Sequence, residues 1–181
     1  MKKWLAVLMV FGLGAVAAFA SGGFGIYGAY WDTDDLGPGF GGGVKFKAEL
    51  ADYFALELRA AGITQFDDWE GDDELFVIPL EAGLLFNLPL GDEVPITLYG
   101  GGGGGYAIIP EADDIDYDDG FCFYGVGGVE LGLGESAALI LEAQYRVFEV
   151  DGASDDAGDI EFSEESELTG LSMNAGLLFR F

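Results

Sequence analysis

The sequence predicts an all-β fold: an eight-stranded antiparallel up-and-down transmembrane β-barrel. Three observations predict it. Segments of roughly ten residues alternate large apolar side chains with small or polar ones, the period of an extended strand whose side chains point to opposite faces in turn. Acidic, turn-rich stretches separate these segments. The chain is also strongly acidic and strongly apolar at once, with 33 Asp and Glu against 7 Lys and Arg, and 50% hydrophobic residues. High charge alone favours disorder and high apolarity alone favours a globule, so a chain with both must keep them apart.

The N-terminus sets the first boundary. Lys2 and Lys3 precede an apolar run from Trp4 to Phe19, and Ala18-Phe19-Ala20 places small residues at both positions a leader peptidase reads before Ser21. Residues 1–20 are therefore expected to be a secretory signal peptide, and 21–181 the barrel. The run is short for a spanning helix, which needs roughly 20 residues. No later run reaches that length without charges or glycines, so the mature chain is expected to cross a membrane as strands. Cys122 is the only cysteine, which excludes an intrachain disulfide.

The strands follow in order. The first runs about from Gly22 to Trp31, with Tyr27, Ala29 and Trp31 on one parity and Phe24, Ile26 and Tyr30 on the other. Asp32–Gly39 reads as a loop. The second, about Phe40 to Leu50, sets Phe40, Val44, Phe46, Ala48 and Leu50 against Lys45, Lys47 and Glu49, and turns at Ala51-Asp52-Tyr53. The third sets Phe54, Leu56, Leu58 and Ala60 against Glu57 and Arg59, and Gln65–Glu74 follows as a loop with six acids. The fourth, about Leu75 to Leu88, carries Phe76, Ile78, Leu80, Ala82, Leu84 and Phe86 opposite Glu81 and Asn87. After a turn at Pro89–Val94, the fifth runs about Pro95 to Ile109. Its six consecutive glycines, Gly100 to Gly105, hide its faces; they are expected to make room for long neighbours rather than to form a soft wall.

Pro110–Gly120 is a second loop with six acids. The sixth strand, about Phe121 to Leu133, groups Phe121, Phe123, Val129, Leu131 and Leu133 opposite Tyr124 and Glu130. After Gly134-Glu135-Ser136, the seventh, about Ala137 to Val150, sets Leu139, Leu141, Ala143, Tyr145 and Val147 against Glu142, Gln144 and Arg146. Asp151–Leu168 holds eight acids. The closing strand, ending at Phe181, has Leu171, Met173, Ala175, Leu177, Phe179 and Phe181 on one face. Its other face is small or polar, apart from Leu178. An apolar final strand is an aggregation hazard unless a partner pairs with it, which closing the sheet on the first strand achieves. Long and short connections alternate, so the long acidic ones are expected to share one rim.

Charge parity supports this orientation. Lys2 and Lys3 lie in the leader, which leaves Lys45, Lys47, Arg59, Arg146 and Arg180 against all 33 acids. All five fall opposite the apolar stripe of their strand, as do Glu49, Glu57, Glu81, Glu130 and Glu142. A Lys or Arg facing lipid at mid-depth costs about 2–4 kcal/mol, whereas an inward charge is tolerated if paired. The ten are expected to form a lumenal charge network.

With these features on one chain, the sequence resembles the small eight-stranded outer-membrane barrels of bacteria, of the type of the OmpA membrane domain and OmpX. The resemblance rests on the terminal Phe strand, on Gly41-Gly42-Gly43, on Pro79-Leu80 through Phe86-Asn87 with Pro89-Leu90-Gly91, and on the Tyr99–Tyr106 glycine strand. It implies a place in the bacterial outer membrane among its lipids, and it implies that the barrel-assembly machinery reads Leu177, Phe179 and Phe181. With no further domain after Phe181, the two-domain anchoring of larger relatives is not expected. The expected role is structural or a cell-surface interaction, not that of a general porin.

Other activities find little support. The lipid A deacylase, the omptin proteases and the lipid A palmitoyltransferase, barrels related in architecture, all use a catalytic His, and this chain contains none. Its serines lack a base of the usual kind, so no catalytic residue and no cofactor is expected. The net charge of −26 disfavours nucleic acid. Asp114, Asp116 and Asp118 share the first spacings of an EF-hand, but Asp119 and Gly125 stand where Gly and Glu belong. They remain weak candidates for Ca²⁺ or Mg²⁺, within a wider alternative in which the acidic loops bind divalent cations or a basic partner. A soluble lipocalin-like barrel is the remaining alternative; it requires an apolar interior and a polar exterior.

Overall fold

The alternating segments form eight strands: β1 (Gly22–Thr33), β2 (Gly37–Ala51), β3 (Phe54–Thr64), β4 (Ile78–Pro89), β5 (Ile96–Ile108), β6 (Gly120–Gly132), β7 (Ala137–Phe148) and β8 (Gly170–Arg180). The computed structural model describes residues 21–34, 37–64, 76–91, 95–110, 120–148 and 168–181. Each strand pairs antiparallel with the next, and β8 pairs with β1 from Gly23↔Arg180 to Thr33↔Gly170, closing the barrel. Closure removes the sheet edges that eight open strands would expose. Among the described residues no helix is long and apolar enough to cross a membrane; the strands make the crossing.

Side-chain direction follows the pleat. Along β7, Ala138, Ile140, Glu142, Gln144, Arg146 and Phe148 are buried, while Leu141, Ala143, Tyr145 and Val147 are exposed. The outward face is oily: Phe121 is 76% and Phe123 68% exposed, and Leu84, Met173 and Phe40 are half exposed. Outward aromatics pair near both ends of the wall. Phe24 packs on Phe46 and Phe54 on Phe86 toward the short turns, and Tyr30 packs on Phe40 and Tyr106 on Phe121 toward the other rim. Two aromatic girdles around an apolar band match the profile of a bilayer. This orientation is the reverse of what a lipocalin-like barrel needs.

The first outer connection is shorter than the loop Asp32–Gly39 that the sequence suggests. β1 continues to Thr33 and β2 resumes at Gly37, whose positive φ of 66° turns the chain. The Thr33 hydroxyl donates to the Gly37 carbonyl at 3.0 Å. Turn-type residues therefore mark a tight hairpin here. The longer connections follow β3, β5 and β7, and their strand ends lie at the same rim.

The glycine strand β5 is fully laddered on both sides, with twelve partners on β4 from Ile78↔Ile108 to Pro89↔Thr97 and twelve on β6 from Ile96↔Leu131 to Ala107↔Gly120. The interruption lies elsewhere. β3 and β4 pair from Phe54↔Phe86 to Ala60↔Leu80 and then meet again only at the bridge Ile63↔Val77. Ile63 and Val77 exchange both backbone bonds, at 3.0 and 2.9 Å. In an antiparallel ladder the next bonded pair lies two residues along, which opposes Ala61 to Pro79. Proline has no N–H to give, so the ladder lapses there.

Candidate functional site

The inward faces of the eight strands bring the charges singled out in the sequence together. Lys45 on β2 lies directly opposite Arg59 on β3, and Lys47 opposite Glu57. Arg59 in turn lies opposite Glu81 on β4. Two like charges facing across a ladder destabilise it, and the carboxylates that offset them come from both sides of the barrel. Lys45 Nζ is 2.9 Å from Glu57 Oε2 and also pairs with Glu142, which reaches across from β7. Arg59 pairs with Glu57, lies 3.3 Å from Glu142 Oε1 and donates to Gln144 Oε1 at 2.7 Å. The Tyr99 hydroxyl donates to Glu142 Oε1 at 2.7 Å.

Two further groups flank this central one. Toward the short turns, Lys47 pairs with Glu130 and donates to Asn87 Oδ1 at 2.9 Å, and Arg180 Nη2 donates to Glu130 Oε2 at 2.7 Å. Toward the other rim, Glu81 accepts from Arg146 Nε at 2.7 Å and from Gln144 Nε2 at 2.9 Å. Arg146 also donates to Ser172 Oγ at 2.7 Å and lies 4.7 Å from the centre of the Trp31 ring, within cation–π range. Arg146, Lys45, Glu57 and Gln144 are almost wholly buried, whereas Arg180 is about one-third exposed at the end of the barrel.

Nine of the ten charges singled out in the sequence take part in these ion pairs: Lys45, Lys47, Glu57, Arg59, Glu81, Glu130, Glu142, Arg146 and Arg180. Glu49 does not. It has the inward parity of Lys45 and Lys47, but it lies at the end of β2, where the register with β3 shifts between Glu49 and Ala51, and it is exposed. Parity sets the direction of a side chain and not its depth. Asn174 Nδ2 lies 3.3 Å from Glu142 Oε2.

The inward aromatics are harder to read from sequence. Tyr27, Tyr99 and Tyr124 are each about nine-tenths buried or more and lie against glycines. A Cβ on Gly43 would come within 2.6 Å of the Tyr27 hydroxyl, one on Gly128 within 2.6 Å of the Tyr99 hydroxyl, and one on Gly83 within 2.3 Å of the Tyr124 hydroxyl. These rings fill the space between the ionic groups. Arg59 lies 5.4 Å from the centre of the Tyr124 ring, and Lys45 and Lys47 lie 5.5 and 5.4 Å from that of Tyr99. Toward the outer rim the large inward side chains are apolar: Trp31, Ile63, Val77, Ile109, Phe148 and Leu168 are at most 3% exposed. The polar-inside rule conceals this layer; a large apolar residue on the inward parity at the outer end of a strand is its signal.

Leu177 and Phe179 lie on the outward face of β8, with Phe179 opposite Phe24 of β1, and Phe181 extends the ladder by exchanging backbone bonds with Gly22 at 3.1 and 3.2 Å. Asp114, Asp116 and Asp118 lie outside the described residues. Among the described residues no group of three His, Cys, Asp or Glu is arranged to hold a metal ion.

A closed eight-stranded barrel with an oily exterior and a paired, ionised interior defines a small transmembrane barrel. The chain belongs to the outer membrane protein beta-barrel domain family, whose model matches residues 4–181. It is thus a protein of the bacterial outer membrane. Among solved structures, the outer membrane protein OprG from Pseudomonas aeruginosa is similar with a TM-score of 0.63 at 16% identity, covering 90% of this chain and 97% of that one. Neisserial surface protein A has a TM-score of 0.63 at 11% identity, with 89% and 96% covered. A major outer membrane protein from Thermus thermophilus has a TM-score of 0.57 at 17% identity, with 88% and 99% covered. At these identities the likeness establishes the fold. No curated protein matches the chain by sequence.

Proposed function

We propose that this protein is a solid membrane post whose work is done at the cell surface and not through its lumen. The observation that carries this reading is the set of ties across the interior. Lys45 to Glu142, Lys47 to Glu130, Arg59 to Gln144 and Glu81 to Gln144 join the β2–β4 wall to the β6–β7 wall. A barrel of eight strands has an interior that side chains just fill, and here those side chains are bonded to one another and capped by an apolar layer.

The surface carries the remaining character of the chain. The connections after β3, β5 and β7 hold twenty acids between Gln65–Glu74, Pro110–Gly120 and Asp151–Leu168, and no Lys or Arg. Such a rim attracts cationic partners from a distance and repels anionic ones. We read the protein as an acidic, non-enzymatic surface element for basic partners, with divalent cations as the second class of ligand.

Planar-bilayer recording of the purified barrel tests the closed lumen. Only small or no conductance is expected at physiological salt, and large stable steps would overturn the reading.

A further inference from the structure

We propose that cleavage of the Ala20–Ser21 bond creates an ion pair between the new Ser21 ammonium and the Glu49 carboxylate, and that this pair pins the seam where the barrel closes. The bond follows the small residues Ala18 and Ala20. Its hydrolysis consumes one water and leaves a carboxylate on Ala20 and an ammonium on Ser21. Before that step the Ser21 nitrogen is an uncharged amide.

The geometry around Ser21 sets the Glu49 side chain beside the ammonium. Gly22 opposes Ala48, and the Glu49 N–H donates to the Ser21 carbonyl at 2.8 Å, so Ser21 and Glu49 form the next pair of the β1–β2 ladder. Both share the inward parity, at the end where the barrel opens to the short turns. Glu49 is exposed and has no ion pair among the described residues, unlike the four glutamates deeper inside. The backbone at this point has little freedom. A Cβ on Gly22 would come within 2.1 Å of the Lys47 carbonyl oxygen, and on its other side Gly22 exchanges both backbone bonds with Phe181. Ser21 is therefore held beside β2 where β1 and β8 meet. Arg180 and Lys47 flank Gly23 one step further in, and both are engaged by Glu130. Glu49, engaged by neither, is the side-chain carboxylate open to the incoming charge.

The test begins with the intact mass of the protein extracted from outer membranes, which is expected to correspond to a chain starting at Ser21. Barrels beginning at Ser21 and barrels with a short neutral extension before it are then refolded, each with and without Glu49→Gln, and their unfolding rates are measured. The extension is expected to speed unfolding about twofold to fivefold when Glu49 is present, the range of an exposed ion pair, and to have a clearly smaller effect in the Glu49→Gln background. Acetylating the Ser21 amine should reproduce the effect of the extension. A different mature terminus, or an extension effect that persists unchanged without Glu49, would overturn the proposal. Neither result bears on the closed lumen, which the conductance measurement tests separately.

Discussion

Glu142 shows what a single residue does in this interior. Its carboxylate accepts from Tyr99, lies within 3.3 Å of Asn174, and faces both Lys45 and Arg59. Removing it leaves two buried cations sharing Glu57. Breaking a buried pair on one side costs about 3–5 kcal/mol, because the orphaned charge stays desolvated. Glu142→Ala is therefore expected to destabilise the folded barrel by about that amount in urea titration followed by gel mobility. Replacing Lys45 and Glu142 together with Met and Gln removes one cation with one anion and should recover part of the loss. A loss below about 1 kcal/mol for Glu142→Ala would mean that water already reaches the cluster.

At the scale of elements, the strands differ in how far the amino acids alone reveal them. β7 is legible because a large or charged side chain occupies nearly every position and the alternation never lapses. β5 is not, since glycine carries no facing signal. Its inward register emerges only from Tyr99 and Ala107, both buried, on either side of the run. The glycines leave the ladder continuous on both sides. The interruption instead follows from Pro79, one residue whose missing N–H matters only once its partner across the sheet is known. In hydrogen exchange on the barrel in lipid bilayers, the amides of Ala61, Ile63 and Val77, which face the β3–β4 seam on either side of the lapse, are expected to exchange faster than those of Gly101, Gly103 and Gly125, since low protection follows an interrupted ladder. Equal protection of the two regions would contradict the break.

At the scale of the whole molecule, one division organises the described residues: apolar side chains outward and ion pairs inward. The division is legible from parity for all five cations of the barrel. Depth is not legible in the same way, so parity alone places Glu49 with the network and conceals the apolar outer layer around Trp31 and Phe148. Depth is a property of the closed barrel, set by strand tilt and by where each hairpin turns, and no single strand encodes it. The first hairpin shows the same limit, because Asp32, Thr33 and Gly37 to Gly39, which look like loop residues, belong to the two strands.

The inward and outward assignment is tested most directly by a spin-label scan along β7 in lipid bilayers. Single cysteines would be placed at each position from Leu139 to Val147 in a Cys122→Ser background, and oxygen accessibility would be measured at each. The account predicts a strict period of two, with maxima at Leu139, Leu141, Ala143, Tyr145 and Val147 and minima at Ile140, Glu142, Gln144 and Arg146. The opposite phase, with Glu142 and Arg146 open to the hydrocarbon, or no alternation at all, would contradict it.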